Sequence, residues 1–100
     1  MADRLALDIP HRLGRAEARQ KLENKLGHIA AALPGGSLNS HHWEGDTLFL
    51  DIAVLGQRIA SELEVLDDRV HAEVDLPPFG FLFADRIKAE LNRVGTDILA

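Results

Sequence analysis

Apolar and polar residues alternate through most of the segment from Leu38 to Leu76. Three turn signals, Gly45-Asp46, Gly56-Gln57 and Asp67-Asp68, divide this segment into four short runs. A period of two is typical of strands that bury one face, and two-residue turns fix the alignment of neighbouring strands. The segment therefore predicts a four-stranded antiparallel meander.

If each turn comprises two residues, the alignment predicts three cross-strand pairs: Trp43 with Leu48, Val54 with Ile59, and Val65 with Val70. The same alignment gathers nearly all apolar residues of the meander on one face: Trp43, Leu48, Leu50, Ile52, Val54, Ile59, Leu63, Val65, Val70, Ala72, Val74 and Leu76. This face is the predicted side of the hydrophobic core.

Two helical patterns flank the meander. The period between Arg15 and Leu33 is that of an amphipathic helix, and alternation over Leu5–Ile9 predicts a strand before it. After Pro77-Pro78, helical spacing returns with these apolar positions: Phe79, Phe83, Ile87, Leu91, Val94 and Ile98. We therefore predict a single α+β domain over residues 1–100, in the order β-α-β-β-β-β-α, with two helices packed on one face of an antiparallel sheet.

Composition and charge argue against several classes of function. The formal net charge is −5 and the 11 basic residues are scattered, which argues against nucleic acid as a partner. The chain has no cysteine, no apolar run of signal-peptide character at its start and none near the ~18 residues of a membrane span, so we expect a cytoplasmic protein. His41 and His42 point to opposite faces of their strand, and His42 and His71 lie about 14 Å apart, so we expect no metal or other cofactor.

On the outer face of the meander, the predicted alignment places three carboxylates in one row at roughly 5 Å spacing: Asp51, Glu62 and Glu73. Like charges that face each other directly destabilise a sheet. The row is either a site for a divalent cation or a basic partner, or a solvated face that keeps the protein soluble.

On the inner face, the polar exceptions are Asn39, His41 and Ser61. Together they could line a small pocket in which a histidine acts as general acid or base beside a hydroxyl. Leu50 and Leu63 intervene between Ser61 and His41, however, and Asn39 and His41 fit equally well on a sheet edge that water reaches. We therefore expect no enzymatic activity.

Four large apolar side chains precede the last helix: Phe79, Phe81, Leu82 and Phe83. Only Phe79 and Phe83 fit the core-facing stripe of that helix, so Phe81 and Leu82 are candidates for contact with a partner, a dimer mate or a lipid-like surface. The alternative is that they cover an open end of the core.

Several stretches of the chain resemble one family. They are His11, Leu13, Gly14, Ala18 and Arg19, then the turn Trp43-Glu44-Gly45-Asp46 with Leu48, then Gly56, and then Arg86 and Ile87 after the apolar stretch. The chain thereby resembles the polyhydroxyalkanoic acid system protein family, small bacterial proteins encoded beside genes for storage granules. The resemblance implies a granule-associated or regulatory role and carries no catalytic residues.

We therefore expect a non-enzymatic cytoplasmic protein, located at storage granules, whose partner is a polyhydroxyalkanoate granule or a granule protein. One alternative is a small-ligand-binding or hydrolytic helix-over-sheet domain that uses the pocket of Asn39, His41 and Ser61. A second alternative is a structural homodimer that pairs through an edge strand or through the Phe79–Phe83 segment.

Overall fold

The computed structural model describes residues 4–33, 35–54, 56–75 and 84–100. In chain order its elements are β1 Arg4–Pro10, α1 Arg15–Asn24, α2 Leu26–Ala31, β2 Gly36–Glu44, β3 Thr47–Val54, β4 Gln57–Val65, β5 Arg69–Asp75 and α3 Ala84–Ile98. The predicted α+β class and the antiparallel sheet are confirmed.

The five strands form one sheet in the order β1-β5-β4-β3-β2, and all neighbouring pairs are antiparallel. Strands β2 to β5 follow the predicted meander. The first strand lies beside β5, the last strand of the described residues, with Arg4 opposite Asp75 and Ile9 opposite Val70. This pairing joins the first and the last described strand and leaves β1 and β2 as the edges of the sheet.

Two of the three predicted alignments are confirmed, since Trp43 pairs with Leu48 and Val65 with Val70. The alignment of β3 with β4 is wrong by two residues, because Ile59 lies opposite Ile52 rather than Val54. Gln57 belongs to β4, and Gly56, with φ 80, occupies the left-handed position immediately before it. A shift of two residues keeps every side chain on its predicted face, so the burial pattern alone does not distinguish the two alignments.

The predicted first helix is divided into two. Lys25 leaves the helical region with φ −125 and ψ 26, so α1 ends at Asn24 and α2 begins at Leu26. The helices therefore number three in the described ranges rather than two. The break does not displace the apolar stripe of this segment, because the residues that follow the helical period are buried: Ala18, Leu22, Leu26, Ile29, Ala30 and Leu33.

The helices pack on one face of the sheet around a single hydrophobic core. Every described apolar residue of the predicted inner face is buried except Trp43, which is partly exposed, whereas the polar Asn39 and His41 are exposed. In α3 the buried positions are Ile87, Leu91 and Gly95, and Gly95 contacts Ile9 of β1. Because Gly95 has no Cβ, α3 approaches the edge strand β1 closely. None of the helices in the described ranges combines the length and hydropathy that a membrane-spanning segment needs.

Candidate functional site

The outer face of the sheet does not contain the predicted row of three carboxylates. Because β4 is shifted by two residues against β3, Asp51 lies between Ser40 and Ala60, whereas Glu62 lies between Phe49 and Glu73. The row of Asp51, Glu62 and Glu73 is therefore wrong as a geometric unit. Two directly opposed carboxylates remain, those of Glu62 and Glu73.

Arg4 of β1 compensates the negative charge of this pair. The Arg4 guanidinium places Nη2 3.4 Å from Oε1 of Glu62 and Nη1 3.8 Å from Oε1 of Glu73, and its Nε donates a hydrogen bond to Asp75. The hydrogen bond to Asp75 is the largest influence that raises the pKa of Arg4. One side chain thus offsets the mutual repulsion of three carboxylates.

Asp51 has partners of its own. The Arg58 Nε lies 3.6 Å from Oδ2 of Asp51, and the Asn39 side chain donates a hydrogen bond of 3.1 Å to the same oxygen. Among the described residues, no group of three or more His, Asp or Glu side chains is arranged to hold a metal ion.

The predicted inner pocket is not assembled. A register shift of β2 between Leu38 and Ser40 turns Asn39 toward Asp51 on the outer face, so Asn39 does not line a pocket with the other two residues. His41 lies at the sheet edge, and its Nε2 is 3.3 Å from Oε1 of Glu23 on α1. These contacts separate the three residues that the sequence placed together.

Ser61 is the one member of the predicted pocket that lies in the core, with 3% of its surface exposed. It faces Leu50 on β3 and Val74 on β5, and its hydroxyl has no hydrogen-bond partner among the described residues. It borders a cavity of about 30 Å³ that is otherwise lined by apolar side chains, among them Ile29 and Leu91. That volume matches about one water molecule, not an organic substrate.

A polar cluster that the sequence analysis did not identify lies where α1 crosses the β2–β3 turn. The Arg19 guanidinium lies over the ring of Trp43, 4.7 Å from its centroid, and Arg19 Nη1 is 3.4 Å from Oδ1 of Asp46. Arg15 donates to the other oxygen of Asp46 at 3.0 Å. We call Arg15, Arg19, Glu23, Trp43 and Asp46 the Trp43 cluster.

Glu23 completes the Trp43 cluster from the next turn of α1. It accepts a hydrogen bond of 2.9 Å from the indole Nε1 of Trp43 and lies beside His41. The hydrogen bond from Trp43, followed by the one from His41, lowers the pKa of Glu23. A shallow open hollow on this surface is lined by Ala16, Arg19, Gln20, Glu23 and Trp43.

Two further residues of the family-like stretches, His11 and Gly14, lie in the loop before α1. Gly14 accepts the first hydrogen bond of α1, from the N–H of Ala18, which is fully buried. His11 is buried as well, and its Nε2 lies 3.0 Å from the carbonyl of Leu66 while its Nδ1 accepts from the N–H of Leu13. This histidine joins the loop before α1 to the end of β4. The family-like signature in the sequence was the available signal for these contacts, although it did not reveal their geometry.

The four residues Phe79, Phe81, Leu82 and Phe83 lie outside the described residues. Their assignment as a partner contact stays a prediction from the sequence.

Comparison with known proteins agrees with the resemblance seen in the sequence. Residues 5–99 match the sequence profile of a family described as polyhydroxyalkanoic acid system proteins. No curated protein and no solved structure matches the chain significantly. Because the match covers nearly the whole chain, this protein belongs to the polyhydroxyalkanoic acid system family.

Proposed function

We propose that the protein is a non-enzymatic, granule-associated or regulatory component of the polyhydroxyalkanoate system, which acts in the cytoplasm by binding the granule surface or a granule protein. The match of residues 5–99 to the family is the observation that carries this proposal. The family description supplies the biological system, and the binding role is our inference.

The arrangement of the described residues supports binding rather than catalysis. The buried hydroxyl of Ser61 lies on a central strand among apolar side chains, whereas the ring of His41 contacts Glu23 at the sheet edge. A nucleophile needs a base within hydrogen-bond reach and a space for substrate. The cavity of about 30 Å³ beside Ser61 is too small for a substrate, which also weighs against the alternative of a small-ligand-binding domain.

We place the granule contact at Phe81 and Leu82. They lie between the end of β5 at Asp75 and the start of α3 at Ala84, in a stretch where four of five residues are large and apolar. The helical period of the sequence points Phe79 and Phe83 toward the core and the two residues between them away from it. An apolar pair of this kind suits a polyester surface or an apolar patch on a granule protein.

Co-sedimentation with purified granules tests both parts of the proposal. The matched variants are Phe81→Asp with Leu82→Asp, and Ala89→Asp with Asn92→Asp, two exposed positions of α3 where one charge is added at each. We expect the wild type and the α3 variant to sediment with granules and the Phe81/Leu82 variant to remain in the supernatant. Circular dichroism establishes that both variants are folded.

The possible results distinguish an error in the granule assignment from an error in the choice of contact residues. If the wild type does not sediment with granules, either native or stripped of protein, the granule assignment is wrong. If the wild type and the Phe81/Leu82 variant sediment equally, the contact lies elsewhere on the molecule. Binding to native but not to stripped granules identifies a granule protein as the partner.

A further inference from the structure

Strand β2 is the open edge of the sheet. The opposite edge, β1, ends at Pro10, which has no N–H to offer, and a helix packs on the inner face at each edge, α3 at β1 and α2 at the first residues of β2. In the described part of the chain, the residues Ser40–Glu44 of β2 pair with β3 alone. One long side of this strand is therefore available for hydrogen bonding.

The backbone groups that face outward can be assigned from the hairpin. Glu44 pairs with Thr47 across the two-residue turn, and the pair beside such a turn is the hydrogen-bonded one. Hydrogen-bonded and non-bonded pairs then alternate along the strand. The N–H and C=O groups of Trp43 and His41 consequently point away from β3, toward the open side of the sheet.

The negative charge on the outer face of the sheet favours a basic binding partner. Seven carboxylates and three arginines occupy this face, a difference of four negative charges out of the net −5 of the chain: Asp8, Glu44, Asp51, Glu62, Glu64, Glu73 and Asp75, with Arg4, Arg58 and Arg69. Among the described residues, Glu44 on the edge strand contacts only His42, and Glu64, two strands farther into the sheet on β4, has no ion-pair partner. The outer face thus carries an excess of negative charge, and Glu44 is the carboxylate of this face that lies on the edge strand itself.

We propose that β2 accepts an extended segment of another protein as a sixth strand, and that this segment alternates basic and apolar residues. Its basic side chains would lie on the outer face beside His42 and Glu44, and its apolar side chains on the inner face beside Trp43, whose ring is partly exposed. Backbone hydrogen bonds to Trp43 and His41 supply the affinity, and the cross-strand charge pairs supply the preference for a basic partner.

A second copy of the chain fits this edge less well. Antiparallel pairing of two β2 strands would place two outer faces with the same excess of carboxylates side by side in one sheet. No residue of β2 belongs to the Phe79–Phe83 segment, so this proposal does not depend on the granule contact.

The probe for this edge is a short synthetic peptide that alternates valine and arginine. Its controls are a peptide with glutamate in place of arginine and a peptide of the same composition with the arginines in one block. Titration is followed by the fluorescence of Trp43, the only tryptophan, and hydrogen exchange of backbone amides is measured by NMR. We expect the alternating peptide to slow the exchange of the His41 and Trp43 amides and to bind several-fold more tightly than the blocked peptide.

Two protein variants isolate the role of charge at the edge. Glu44→Gln should weaken binding of the alternating peptide about two- to fivefold, as expected for an exposed ion pair. Glu17→Gln, an exposed position on α1 with the same charge change, should leave binding unchanged.

Three results would overturn the proposal. Equal weakening by Glu44→Gln and Glu17→Gln would indicate only general attraction to an acidic protein. Unchanged exchange at His41 and Trp43 would place the peptide elsewhere on the molecule. Protection of these amides in the free protein, rising with its concentration and accompanied by a dimer in sedimentation velocity, would identify a second copy as the occupant of the edge.

Discussion

Arg4 should stabilise the sheet mainly by offsetting the repulsion between Glu62 and Glu73, and Arg4→Gln tests this. The arginine lies within 4 Å of the carboxylates of Glu62, Glu73 and Asp75. With the arginine removed, Glu62 and Glu73 remain directly opposed on β4 and β5. The variant therefore loses three attractive contacts and exposes one repulsive contact.

The expected loss in the free energy of unfolding depends on how exposed these side chains are. About a third of the side-chain surface is exposed at Arg4, Glu62 and Glu73, with values of 36%, 37% and 37%, so solvent screens each contact substantially. An exposed ion pair contributes about 0 to 1 kcal/mol. Two charges about 5 Å apart repel each other by about 0.8 kcal/mol in water. We therefore expect Arg4→Gln to lower the free energy of unfolding by about 1 to 2 kcal/mol, or about 4 to 8 °C in Tm for each kcal/mol.

Urea unfolding followed by tryptophan fluorescence measures this loss. Glu62→Gln combined with Glu73→Gln should reduce the effect of Arg4→Gln to the part that comes from Asp75, and the effect should also shrink in 1 M salt, where the screening length is about 3 Å. Arg58→Gln is the matched control, because Arg58 is 76% exposed and contacts Asp51 alone at 3.6 Å, and it should change stability by less than about 0.5 kcal/mol. If the effect of Arg4→Gln is the same with and without the two glutamines, the repulsion argument is refuted.

Two further predictions concern Ser61 and Glu23. The Ser61 hydroxyl is buried beside a cavity of about 30 Å³ and has no hydrogen-bond partner in the described ranges, so Ser61→Ala should keep or raise stability by up to about 1 kcal/mol in thermal unfolding. A loss of that size would indicate a hydrogen bond to this hydroxyl. The pKa of Glu23 is lowered by Trp43 and then His41, so its ionised form stabilises the fold above the ordinary glutamate pKa, and this contribution is lost as the pH falls through the lowered value. Glu23→Gln should therefore flatten the loss of stability in that acid range, and an unchanged slope would contradict the role of Glu23.

The hydrophobic pattern predicted the faces of β3, β4 and β5 correctly because burial in a regular strand depends only on whether a position is odd or even. It also gave the hairpins at Gly45 and Asp67, where the turn residues lie symmetrically between the alternating runs. At Gly56 the pattern was compatible with two alignments that bury the same side chains, and the structure adopts the one that the sequence analysis did not choose.

The hydrophobic pattern did not predict contacts between distant parts of the chain. Arg4 meets Glu62 and Glu73 only because β1 lies beside β5, and a strand pattern does not specify its neighbour in a sheet. Arg19 likewise meets Trp43 only because α1 crosses the β2–β3 turn. Arg4 and Arg19 look like ordinary solvent-exposed residues in the sequence, yet they contact the like-charged pair and the single tryptophan.

The shift of two residues between β3 and β4 shows which inferences about a surface remain valid when the strand alignment is predicted wrongly. The sign of the charge on the outer face depends on parity alone, so the excess of carboxylates was predictable although their row was not. A metal or catalytic site depends on which side chains are direct neighbours, and the shift removed Asp51 from the row while the irregularity in β2 turned Asn39 away from Ser61. For a sheet of this kind, a partner chosen by charge can be inferred from sequence, whereas a site that needs ligating geometry requires the structure.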